Sequence, residues 1–253
     1  MKASEDHKVI VVGGGPAGLI TCFWLQKFGI SHLLLEKENY PREKACGDIL
    51  TSKAIRKVNE IDPQFIPEML SLGIINPIYG SSLRAQNDHT INLNFKWLDN
   101  LKNTPSCYSV QRTLFDHFLF KKLKKNPLTT IITNCSITAV EMKENFGEIK
   151  SKDGSIFRAK LLLLATGSNF NPLSKNFKIK EKDIHQAIGV RAYYSGLDYK
   201  SNYAEVLLLE KHLMPGGFYI TPLGNDLFNI NLVVRKDVVK ERGLNLTKEF
   251  ESL

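Results

Sequence analysis

The chain carries 253 residues, 43% of them hydrophobic and 24% charged, an ordinary balance for one large globular domain or two modest ones. Its formal charge of +8 suits mild attraction to anions, but the cations are scattered, and the densest run, Lys121 to Lys125, falls at the end of an expected helix, where positive charge offsets the helix dipole. No basic stripe interleaved with aromatics marks a nucleic-acid surface, so no nucleic-acid partner is expected, and apolar runs such as 161–165 and 206–209 are too short to span a bilayer.

The polar first residues lead straight into a strand, with no cleavable leader pattern. The four cysteines, at 22, 46, 107 and 135, show neither a C-x-x-C pair nor metal-ligand spacing, so they read as reduced thiols of a cytoplasmic protein without a metal site.

In chain order, a β-branched run from Val9 to Val12 meets Gly13, Gly14 and Gly15, and an apolar helical pattern follows from Pro16 to Phe28. The spacing is G-x-G-x-x-G: Gly13 turns out of the strand, Gly15 lets the backbone approach a pyrophosphate, and Gly18 lets helix and strand pack closely. Pro16 fits the first helical turn, where its missing N–H costs nothing, and Pro16 and Ala17 complete the site. The helix then points free N–H groups and its positive dipole end at phosphates. A second apolar run, His32 to Leu35, ends in Glu36, 23 residues after Gly13, where a carboxylate should accept hydrogen bonds from an adenosine ribose. Lys37 beside it joins the candidate site without arguing for a 2′-phosphate. Strand, glycine turn, helix, strand and terminal acid read as a dinucleotide-binding βαβ unit.

A loop over 39–48 and a helix over 51–59 come next. From 74 to 95 the alternation of apolar and polar residues predicts antiparallel strands at 78–86 and 90–95, followed by a loop over 96–106. A helix over 112–124, strands at 129–132, 137–142 and 147–151, and a fully apolar strand ending in Ala165, Thr166 and Gly167 return the α/β texture; such a strand is buried and meets a ligand at its C-terminal end. Beyond 172, segments 185–194, 204–210, 217–222 and 227–234 again read as antiparallel strands, and 236–248 as the start of a helix. The fold expected is α/β (mixed α+β): a Rossmann-like three-layer dinucleotide domain from 1–73 and 107–172, and a β-rich substrate domain from 74–106 and 173–253.

Four stretches together resemble the hydroxylase-type flavoproteins, and most of all their geranylgeranyl-reductase-related branch. Gly13, Gly15, Pro16, Ala17 and Gly18 with Glu36 match that family's adenosine-diphosphate site. Residues 41–48, with Arg42, Cys46, Gly47 and Asp48, look like the branch's signature loop, which in the family lies against the flavin ring. Val110 to Asp116 matches a segment whose arginine, here Arg112, sits beside the cofactor; read from the residues alone, Arg112 is either such a cation or a surface arginine at a helix start. Pro215 to Gly224 and the following Asn229 resemble the substrate-domain strand pair of prenyl-reducing members. Two departures stand out: Thr166 and Gly167 replace the family's Asp-Gly pair, and strand 217–222 lacks the usual tryptophan, with Tyr219 in its neighbourhood.

The resemblance implies an FAD-dependent oxidoreductase acting on a small, apolar, isoprenoid-like molecule by hydride transfer to a carbon–carbon double bond. Flavin monooxygenase or halogenase chemistry and a shortened remnant without turnover are the alternatives. Cys46 is the one candidate catalytic residue, either steering or protonating substrate or serving as a small residue against the flavin; Cys22, Cys107 and Cys135 read as packing. An external reductant such as NAD(P)H, peripheral membrane contact and the oligomeric state stay open. The family's third flavin motif, a Gly-Asp opening a helix, has no match after residue 215, since Gly224, Asn225 and Asp226 fall in a turn between strands. The chain is therefore expected to lack the C-terminal third and to hold FAD weakly by itself.

Overall fold

A computed structural model describes residues 5–85, 87, 89–94, 105, 107–168, 182–199, 202–208 and 211–252. In chain order its elements begin with β1 (Glu5–Val12), α1 (Pro16–Lys27), β2 (His32–Leu35), β3 (Ile49–Leu50), α2 (Ser52–Ile61), α3 (Phe65–Ser71), β4 (Ile75–Ile78), β5 (Gly80–Arg84) and β6 (Thr90–Asn94). They continue with β7 (Cys107–Val110), α4 (Arg112–Leu123), β8 (Thr129–Ile132), β9 (Ile137–Met142), β10 (Gly147–Ser151) and β11 (Ile156–Leu164). The last are β12 (Ala187–Ser195), β13 (Tyr203–Leu207), β14 (Gly216–Gly224), β15 (Leu227–Arg235), α5 (Lys236–Glu241) and α6 (Leu246–Ser252). The chain divides into two compact units, each drawn from two stretches: 1–43 with 113–180, and 44–112 with 181–253.

The first unit is built on a six-stranded sheet in the order β8-β2-β1-β11-β10-β9. Its first four strands are parallel, and β10 and β9 are added antiparallel. All four residues of β2 and the last four of β1, Val9 to Val12, are buried, which is why both read as unbroken apolar runs and not as alternations. Ile10, Val12, Leu33 and Leu35 pack with Val140, Ile149 and Phe157 in one cluster. Leu19 and Cys22 of α1 and Phe115, Leu119 and Leu123 of α4 are also buried. This is the mixed α/β, Rossmann-like arrangement expected.

The second unit holds a six-stranded sheet, β12-β15-β14-β13-β5-β6, and a three-stranded sheet, β3-β7-β4. Every pairing in the larger sheet is antiparallel except β13 with β5. The boundary expected at 73/74 falls instead at 43/44. Pairing explains the shift: β3 and β4 flank β7, so the chain from 44 onward is tied to the second unit. The strand expected at 78–86 is β5, Gly80–Arg84; Ile78 ends β4 of the other sheet, and Tyr79 parts the two. Helix α3 falls in a stretch for which no element was expected; its Pro67 sits in the first turn, where no N–H is needed. The helix expected over 236–248 is two, interrupted at Gly243, whose φ is +61°. The expected loop at 96–106 lies almost wholly outside the described residues. Among the described residues no helix is long and apolar enough to cross a membrane.

Candidate functional site

In the first unit the glycine turn is specified by close backbone approach. Gly13 has φ +101°, its N–H donates to the Leu35 carbonyl at 2.8 Å, and a Cβ there would strike the carbonyl of Ala165. A Cβ on Gly18 would strike the carbonyl of Gly13, so the helix can sit this close to the turn only without a side chain. Gly15 caps α1 in an extended conformation, with Pro16 next. Ala165 donates its N–H to Val12 at 2.8 Å, carrying the parallel pairing of β1 and β11 one residue past the strand end. Thr166 follows, its Oγ1 buried without a partner, and Gly167 turns the chain out at φ +66°.

Glu36 is buried at the end of β2. Its Oε2 accepts the Gly14 N–H at 2.6 Å and its Oε1 the Glu38 N–H at 3.1 Å, so each oxygen keeps a lone pair for a further donor. Lys37 is exposed and its ammonium pairs with the Glu38 carboxylate at 3.0 Å.

Arg42, with Pro41 and Glu43, belongs to the first unit, and its side chain lies at the glycine turn. Its Nη2 donates to the Gly14 carbonyl at 3.1 Å and lies 3.4 Å from Asp116 and 3.7 Å from Glu36, so its buried charge is compensated by two carboxylates. Tyr40 donates its hydroxyl to the same Gly14 carbonyl, its ring stacked on Phe120 at 4.2 Å. Burial first, and then Glu36, push the phenol above its ordinary range, which keeps it a donor.

The remainder of the loop, 44–48, lies in the second unit. Cys46 is half-buried and free, and its carbonyl accepts from Asn229 Nδ2 at 2.8 Å. Asp48 is fully buried, with φ +56°. Its Oδ2 accepts from the Tyr193 hydroxyl and from Asn229 Nδ2, both at 2.7 Å, while Oδ1 is buried without a partner. Burial pushes this carboxyl up, against the opposing pull of Tyr193, Arg191, Asn229 and Arg112. Arg112 thus acts on Asp48 from the first residue of α4. Gly47 is exposed, and a Cβ there would lie 3.6 Å from Asn231 Oδ1. Ala45 opens onto a cleft of about 650 Å³ shared with Val190, Arg191, Ala192, Tyr194 and Phe250.

The candidate residues therefore form two clusters, one per unit. Sequence reasoning missed Tyr40, Tyr193 and the buried partners Asp116 and Asn229. Two signals were present. Asp116 falls on the buried face of an apolar helix, where a carboxylate needs a cation, and Asn229 and Asn231 alternate within an otherwise apolar strand.

A model of the pyridine nucleotide-disulphide oxidoreductase family matches residues 7–194. The chain belongs to that family. Its members are FAD-dependent oxidoreductases, and FAD is the cofactor here. The first unit fits the adenosine diphosphate half: the cradle at Gly13 and Gly18 has no room for a side chain, and Thr166 leaves a buried hydroxyl unsatisfied. Among the described residues the four cysteines are free.

The chain is 23% identical over 239 residues to a menaquinone reductase of Mycobacterium tuberculosis, an alignment that takes in 92% of this chain and 56% of that protein. It is 24% identical to digeranylgeranylglycerophospholipid reductase 1 of Methanococcoides burtonii, over 90% of this chain and 54% of that one. Among solved structures, a geranylgeranyl bacteriochlorophyll reductase-like protein of Thermoplasma acidophilum superposes with a TM-score of 0.74 at 19% identity, covering 97% of this chain and 64% of the other. That likeness is one of fold. The chain spans about half the length of the curated relatives it matches.

Proposed function

We propose that the protein adds a hydride to a carbon–carbon double bond of an apolar, isoprenoid-like molecule. The observation that carries this reading is the cleft of about 650 Å³ in the second unit, walled by Ala45, Val190, Ala192, Tyr194 and Phe250. Those walls suit a hydrocarbon, with Arg191, Thr247 and Glu251 giving polar points at the edge. Its border includes the signature loop, one residue before Cys46. The names of the two relatives, one a menaquinone and one a digeranylgeranylglycerophospholipid reductase, support the same class.

The hydride is the chemistry that bound, reduced FAD would supply; the protein's part is binding, orientation and exclusion of water. Gly13, Gly15 and Gly18 with the start of α1 would receive the diphosphate, and Glu36 would receive the ribose. Hydride addition to one carbon leaves the other in need of a proton. Cys46, half-buried, next in sequence to Ala45 of the cleft wall and tied through its carbonyl to Asn229, takes that role in this reading. NAD(P)H or another external donor would serve as the reductant, and peripheral contact with a membrane would give access to so apolar a substrate.

The test is anaerobic. Protein carrying reduced FAD is mixed with a polyprenyl compound; the expected result is return of the oxidised flavin spectrum with a product heavier by two hydrogens. Reoxidation only when oxygen is admitted, with a hydroxylated or halogenated product, would overturn the reading in favour of monooxygenase or halogenase chemistry.

A further inference from the structure

The glycine turn carries a feature that its sequence pattern does not contain: two consecutive peptide units are held by side chains from residues 36–42. The N–H of Gly14 donates to Glu36 Oε2 at 2.6 Å. The carbonyl of Gly14, on the next peptide unit, accepts from the Tyr40 hydroxyl and from Arg42 Nη2, the latter at 3.1 Å. That second unit, Gly14–Gly15, is trans, because the chain's cis bonds are Tyr40–Pro41 and Met214–Pro215. In a planar trans peptide the C=O and N–H point in opposite directions. Fixing the Gly14 oxygen toward Tyr40 and Arg42 therefore aims the Gly15 N–H away from them, at the cap of α1. Two donors on the oxygen also polarise the peptide, making that N–H a stronger donor.

We propose that Tyr40 is a positioning residue for the diphosphate of the dinucleotide, acting with Arg42 through the Gly14 carbonyl to present the Gly15 N–H to a phosphate oxygen. The inference rests on the assignment of this turn to FAD. Tyr40 is fitted to the task by its surroundings. Its ring lies on Phe120, 4.2 Å between centroids and 15° from parallel, and beneath the Arg42 guanidinium at 5.3 Å. The ring position is thus set by packing, and the hydroxyl, itself hydrogen-bonded by Arg42, donates to one oxygen. Arg42 is in turn fixed by Asp116 and Glu36, so the aim of the peptide is set by a buried network and not by the glycines, which permit many conformations.

Tyr40→Phe removes the hydroxyl and keeps the ring. FAD affinity is measured by flavin fluorescence, with ADP and adenosine as separate competitors. The expected result is a rise of about 3- to 10-fold in the dissociation constants of FAD and ADP, the effect of losing one neutral hydrogen bond, with adenosine unchanged and the thermal midpoint close to that of the native protein. Phe120→Leu, which removes the stack and keeps the hydroxyl, should lower the midpoint without separating ADP from adenosine. Equal weakening of adenosine and ADP in Tyr40→Phe would make Tyr40 merely structural and overturn the proposal, as would unchanged FAD and ADP affinities. A native protein from which ADP displaces no FAD would instead overturn the assignment of the turn itself, and the inference with it.

Discussion

Among single residues, Asp48 and the cysteines carry the sharpest expectations. Asp48 is fully buried in the left-handed region, with one oxygen unpaired, and burial is the largest influence on its titration. A carboxyl whose folded pKa is raised binds its proton more tightly in the folded state. Its contribution to stability is complete below the ordinary value of 3.8 and is lost as pH rises through the folded value. Asp48→Asn keeps an acceptor for Tyr193, tolerates positive φ and carries no charge, so denaturant midpoints should vary less between acid and neutral pH than in the native protein, with neutral stability equal or higher. Asp48→Ala leaves Tyr193 and Asn229 without their acceptor in a buried site and should cost about 2 kcal/mol or more at any pH. For the cysteines, burial pushes Cys22 up to about 12 and Cys107 and Cys135 up to about 11; all three are buried, whereas Cys46 is half-exposed. A thiol-specific reagent applied to native protein should therefore modify one cysteine, located by peptide mapping at Cys46, and all four after denaturation. Modification of Cys22 at a similar rate would contradict the packing role.

Among elements, the contact between α1 and β1 sets the tolerance of the glycine turn. A methyl at position 18 would strike the Gly13 carbonyl, and because both partners are backbone, neither can yield cheaply. Gly18→Ala should cost about 1–3 kcal/mol in urea unfolding, the usual effect of overpacking, and should weaken FAD as the helix start is displaced. Gly29→Ala is the comparison: nothing lies within 4 Å of its Cβ position, and its φ is +68°, so only the left-handed conformation is penalised, at about 1 kcal/mol, with FAD affinity unchanged. Two glycines one helix apart thus separate backbone strain from close approach. The strand pair β14 and β15 makes a different point. Their apolar alternation was legible, but the registry shift between Pro222 and Gly224 was not, and the Pro222 carbonyl accepts from Ser109 of β7, more than a hundred residues away in the chain.

For the whole molecule, the two compact units lead to a prediction about where a nucleotide acts. ADP at one hundred times its dissociation constant should stabilise the structure that binds it by about 2.7 kcal/mol. Hydrogen-exchange protection should rise at the Gly13–Gly18 turn, α1 and β2 of the first unit, and not in the β12–β15 sheet of the second; equal protection of both would contradict a separate nucleotide cluster. The sequence by itself determined the βαβ unit, because glycine spacing, continuous apolar strands and a terminal acid are local signals, each imposed by one element meeting its neighbour. It also marked 41–48 as a unit of interest. Only the tertiary structure decided that this loop divides, with Arg42 held between Asp116 and Glu36 while Cys46 and Asp48 are fixed by Asn229 and Tyr193. Those partners lie about 70 to 180 residues away along the chain, apart from Glu36. No periodicity reports which distant donor will compensate a buried charge; that is settled by which strands pair and which faces pack, where every buried polar group must find its partner.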